Sequence, residues 1–103
     1  MEITWSPAAS KAWYKAARYC EKKFGRRVAD RFAERTSKMN RLLAANPRLG
    51  KEEPLLEKHS KAYRSLVLDE HYKVIYYLAG STVYVIALWD VRRDPDALAD
   101  RIR

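Results

Sequence analysis

Apolar positions along this chain change period several times, and each change marks an element boundary. From Glu2 to Trp5 they alternate, with Ile3 and Trp5 on one side, the period of a short strand. They then recur at Ala9, Trp13, Ala16, Cys20 and Phe24, one face of a helix. Ser6 and Pro7 form its start, Ser as the capping oxygen and Pro where a missing N–H costs nothing. Gly25 ends it, as glycine takes a left-handed C′ conformation freely. Val28, Phe32, Met39 and Leu43 then mark a second helix face, stopped at Asn46-Pro47. Two helices joined at one glycine predict an αα-hairpin.

Arg48 to Lys61 is polar, of mixed charge, with one Gly and one Pro, and predicts an irregular connection. Beyond it, Ala62 to Trp89 holds three β-rich runs separated by Asp69-Glu70-His71 and by Gly80-Ser81. Strands this close can pair only as an antiparallel meander, because parallel partners need a crossover of about a dozen residues. Asp94-Pro95 repeats the cap-plus-proline device, and Leu98 and Ile102 give a terminal helix its apolar edge. The predicted order is β-α-α-β-β-β-α, an α+β fold. The helical hairpin has to bury its apolar face and so should lie on one face of a small, mainly antiparallel sheet.

Size changes this picture little: 103 residues with twelve aromatics predict a single folded domain over residues 1–103. One cysteine, Cys20, excludes an internal disulfide and the usual Cys/His zinc sites, and its place on the first helix face reads as core. No apolar run is long enough for a membrane span or signal peptide, so the expectation is a cytoplasmic protein that does not engage membranes. Charge changes the picture more. Residues 11–53 hold thirteen Lys/Arg against five Asp/Glu, whereas residues 54–103 hold eight against seven. The net charge of +8 therefore sits on the first half of the domain, a field suited to nucleic acid or an acidic protein.

The candidate chemistry is cationic. Arg64, Lys73, Arg92 and Arg93 lie on or just beyond the predicted meander, where they could converge on one exposed, target-binding patch. Arg64 reads either as a phosphate or carboxylate contact or as a solvated strand residue. Arg93 could present its planar fork to such a group, or be held in a salt bridge by Asp90 or Asp94, with Arg92 its structural companion. His71 reads as a solvated turn residue, and His59 as an acid–base group only if a site forms around it. Tyr72, Tyr76, Tyr77 and Tyr84 could stack bases, although tyrosine is also a favoured strand residue. The run Lys22-Lys23-Phe24-Gly25-Arg26-Arg27 at the hairpin tip is a solvated turn or a phosphate contact. Nothing in these residues requires a cofactor or a metal ion.

Several pieces, in order, resemble the RelE/ParE superfamily, the small toxins of bacterial type II toxin–antitoxin operons. They are Tyr63-Arg64, Tyr72-Lys73-Val74-Ile75-Tyr76 and Arg92-Arg93-Asp94-Pro95, set in the β-α-α-β-β-β order over nearly the whole chain. The RelE-like branch cleaves messenger RNA on the ribosome, and resemblance to it would make Arg64, Lys73 and Arg93 the catalytic cations. Two positions depart from that branch: Leu66 stands where it has a lysine, and Ala99 where it has a tyrosine on the last helix. RNA cleavage needs proton-transfer groups as well as cations, and the former are thin here. The ParE-like branch is closer in Arg18-Tyr19, Phe24-Gly25, Val28-Ala29, Phe32, Leu42-Leu43 and Asn46-Pro47, and in Leu98 to Ile102. That resemblance implies a toxin that poisons DNA gyrase without being an enzyme, neutralised by a cognate antitoxin. The ribosome and its message are the partners in the RelE-like alternative, and a non-toxic member that keeps antitoxin binding is a third.

Overall fold

A computed structural model describes residues 1–102. Its elements are β1 (Glu2–Trp5), α1 (Pro7–Phe24), α2 (Arg26–Ala45), β2 (Lys51–Glu52), β3 (Arg64–Val67), β4 (Tyr72–Ala79), β5 (Thr82–Asp90) and α3 (Pro95–Arg101). The five strands form one sheet in the order β1-β5-β4-β3-β2. The meander β3-β4-β5 is antiparallel as expected, and β1 closes the far edge parallel to β5.

The helix ends follow their caps. Ser6 Oγ accepts the Ala9 N–H at 3.0 Å, and Asp94 Oδ1 accepts the Asp96 N–H at 3.0 Å. Gly25 is both the last cap of α1 and the first of α2. Its φ of 91° is positive as expected, but its ψ of 170° is extended rather than left-handed helical, which turns the chain straight into the next helix. The two helices are then tied by a relay: Trp13 Nε1–H donates to Thr36 Oγ1 at 2.8 Å, and that hydroxyl donates to the Phe32 carbonyl at 2.9 Å.

The connection from Arg48 to Lys61 is more ordered than its composition predicts. It holds β2, paired antiparallel with β3, and a 3₁₀ turn at Pro54–Leu56. Gly50 allows this approach, since a Cβ there would stand 2.6 Å from both the Ser65 carbonyl and the Tyr76 hydroxyl. Instead the buried Tyr76 hydroxyl accepts the Gly50 N–H at 2.8 Å and donates to the Pro47 carbonyl at 2.9 Å.

Both sheet faces are covered, by different elements. Ala9, Ala16, Phe32, Met39 and Leu43 of the hairpin pack on Val74, Tyr76, Val83, Val85 and Leu88. On the other face Leu98 and Ile102 pack with Leu56, Tyr63, Ile75 and Trp89. A β-bulge makes this possible. The pairing steps from Ile75↔Ala87 to Tyr76↔Val85, leaving Ile86 as the extra residue, so Val83, Val85 and Leu88 all reach the hairpin side despite their mixed parity.

Candidate functional site

The expected cationic residues divide between the two faces of the sheet. Arg64 stands opposite Tyr76, whereas Lys73 stands opposite Val67, three residues further along β3. Side chains an odd number apart on a strand point to opposite faces. Arg64 therefore lies on the hairpin side and Lys73 on the α3 side. The expected convergence on one patch is not what the fold builds, because register decides the face and the two sit at opposite parity.

Each cation also has an internal contact. Arg64 Nη1 donates to the Gly50 carbonyl at 2.6 Å, bracing the β2 approach. Lys73 Nζ is paired with Glu53, whose other carboxylate oxygen accepts the Ser65 hydroxyl at 3.1 Å. Arg92 Nε and Nη2 both bond the Asp90 carboxylate, at 2.9 and 2.8 Å. That bond, ahead of the opposing burial effect, holds Asp90 below the ordinary carboxylate range. Arg93 is not in the salt bridge with Asp90 or Asp94 that its neighbours suggested; it is exposed, with its guanidinium 5.1 Å from the centre of the Trp89 ring. Trp89 is the cross-strand partner of Lys73, so Arg93 and Lys73 share the α3 side.

The histidines and aromatics find structural places. His59 Nε2 contacts the Ile102 carbonyl and its ring meets Tyr63 edge-on, which pins the end of the described chain to the 3₁₀ segment. His71 sits in the turn, where Asp69 Oδ1 accepts both the His71 and Tyr72 N–H groups at 2.8 and 2.9 Å. Tyr77 stacks on Tyr84 with ring centres 5.4 Å apart, under Lys61 at 5.1 Å.

A cleft of about 620 Å³ opens between the hairpin tip and the β3–β4 turn. Its walls are apolar where Ala16, Phe24, Val28, Phe32 and Tyr72 line it; Lys23, Arg31, Arg35 and Arg92 outnumber Asp69 and Glu70, which line its β3–β4 turn side. Phe24, expected in the core, is 56% exposed here. Cys20, read as core, instead lines this cleft at intermediate burial, where desolvation and then the Asp69 charge push its thiol pKa up and keep it protonated. Tyr72 at the floor is also shifted up, first by burial and then by Asp90. The signal available in sequence was the aromatic inside a basic run, Lys23-Phe24 to Arg27, which a solvated turn does not need.

Comparison with known proteins agrees with this architecture. The model of the family described as ParE toxin of type II toxin–antitoxin system, parDE, matches residues 3–95, and the chain belongs to that family. Its fold resembles the chromosomal ParDE TA system from P. aeruginosa, with a TM-score of 0.71 at 14% identity over 88% of this chain and 96% of that one. It also resembles a YoeB/ParE toxin from Agrobacterium tumefaciens, with a TM-score of 0.61 at 20% identity over 87% and 98%. A YoeB–YefM complex from Staphylococcus aureus follows, with a TM-score of 0.55 at 15% identity over 85% and 93%. No curated protein matches the sequence significantly. The chain is thus a toxin of the RelE/ParE superfamily, and no helix among the described residues is long and apolar enough to cross a membrane.

Proposed function

We propose that this toxin acts by inhibiting DNA gyrase, and that a cognate antitoxin neutralises it by laying an acidic, amphipathic segment into the cleft between hairpin and sheet. One observation carries the choice of gyrase over message cleavage: Arg64 and Lys73 stand on opposite faces of the sheet. Cutting RNA requires cations gathered around a single scissile phosphate, with a group nearby to move the proton. Here Lys73 is occupied by Glu53 and Arg64 by a backbone carbonyl. The two positions that depart from the nuclease branch are structural as well. Leu66 packs against the hairpin core and Ala99 against the α3 cluster.

Support for the antitoxin site comes from the cleft itself. Its apolar walls would bury one face of a helix or extended segment, and its Lys23, Arg31 and Arg35 rim would attract carboxylates on the other. Inducing the chain in bacteria without antitoxin tests the reading. A gyrase poison gives filamentation and an SOS response, a ribosome-dependent nuclease gives cuts in translated message at the A site, and a non-toxic member leaves growth unchanged.

A further inference from the structure

We infer that the outward row Lys11, Lys15, Arg18 and Lys22 of α1 is a docking face for the phosphate backbone of duplex DNA. At about 100° per residue these four positions fall within roughly a sixth of the helix circumference. That arc lies opposite Ala9, Trp13, Ala16 and Cys20, which face the sheet and the cleft. All four cations are exposed, and none is in an ion pair among the described residues. Glu21, the single acidic residue of α1, lies to one side of the row.

The plain alternative is a solvated helix face, and Lys22 does complement the negative end of the α1 dipole. The other three have no such use. Like charges three and four residues apart repel one another, and Lys11–Lys15, Lys15–Arg18 and Arg18–Lys22 are three such pairs in succession. A polyanion would relieve that repulsion. On α2, by contrast, Asp30 and Glu34 interrupt the outward cations.

The chemistry favours DNA over an acidic protein. Protein interfaces centre on apolar anchors and are poor in lysine, whereas DNA interfaces are polar and strongly positive. The row has no apolar member, and exposed Tyr14 and Tyr19 flank it on either side, hydroxyls of a kind that bond phosphate oxygens. From Lys11 to Lys22 the helix rises about 16 Å, enough to follow four or so backbone steps of a straight duplex. Because the row faces away from the cleft, DNA could be held whether or not the cleft is filled. This inference does not require the target to be gyrase.

The test is binding of a fluorescent, sequence-neutral duplex to the purified chain over a salt series. With about four phosphates neutralised, the log–log slope against salt should be about −3.6, a loss of about 150-fold between roughly 50 and 200 mM. The variant K11Q/K15Q/R18Q/K22Q should flatten that slope nearly to zero. The matched variant K51Q/K58Q/K61Q/R101Q, which removes as many exposed cations elsewhere, should keep it. The single variant K15Q should reduce it by about one, with helical circular dichroism unchanged. Equal flattening by both quadruple variants, no duplex binding by the natural sequence at about 50 mM salt, or tighter binding of a single strand than of duplex would each overturn the inference.

Discussion

Lys73 reaches from β4 to close on Glu53 in the connection before β3, and the Glu53 side chain is only 1% accessible. This pairing turns a polar loop into part of the sheet, with Ser65 supplying the second donor to the carboxylate. Removing one partner of a buried pair leaves the other charge uncompensated, at a cost of about 3–5 kcal/mol. Lys73→Ala should therefore destabilise the fold by an amount in that range in urea unfolding. The double variant Glu53→Gln/Lys73→Met, which keeps an acceptor for Ser65 and buries no charge, should recover most of the loss. A Lys73→Ala variant as stable as the natural chain would show that the pair does not hold this segment.

Tyr76 and Gly50 define a second lock. Tyr76→Phe leaves the buried Gly50 N–H without its acceptor and should cost about 1–3 kcal/mol. Gly50→Ala should cost more than Tyr76→Phe, since its methyl would meet both the tyrosine and the backbone of β3. Thermal unfolding of the two variants checks the order.

Asp90 carries a pH signature. Its pKa is lowered in the folded chain, chiefly by the Arg92 hydrogen bond. A carboxylate depressed on folding contributes stability above its unfolded pKa of about 3.9, and loses it as pH falls through the lower folded value. Replacing Arg92 with Gln should move the Asp90 titration upward, as read by carboxyl NMR. The Tyr72 phenol should rise further too, because the Arg92 charge opposes the upward push of burial, Asp90 and Asp69.

Arg93 is the exposed cation closest to the resemblance that suggested a target contact. Its packing over Trp89 is worth about 0.5–1 kcal/mol, so Arg93→Ala should lower stability only slightly. It should nevertheless abolish growth inhibition on induction without antitoxin. Full toxicity in that variant would remove Arg93 from the account.

What sequence made legible follows from which signals are local. The Ser6-Pro7 and Asp94-Pro95 starts, the end of α1 at Gly25 and the Gly80 turn, where φ is 59°, all depend on neighbouring residues and fall where expected, although Gly25 is extended in ψ rather than left-handed helical. The α3 edge of Leu98 and Ile102 is buried as its spacing predicted. Two features were illegible for a different reason. Glu53 gives no hydrophobic signal, so its burial depends on Lys73 and Ser65, twenty and twelve residues away. The division of Arg64 from Lys73 depends on register across the β3–β4 turn, and a shift of one residue would have placed them together. Phe24 shows the limit of periodicity: the helix face it belongs to runs on past the sheet and into the cleft wall.

The most direct test of the central claim is a supercoiling reaction with purified DNA gyrase, relaxed plasmid, ATP and this chain. Supercoiling should be inhibited, and linear plasmid, released by protein denaturation, should accumulate with toxin concentration. A chain that arrests growth in cells yet leaves gyrase supercoiling at full rate, with no cleaved plasmid, would contradict that claim.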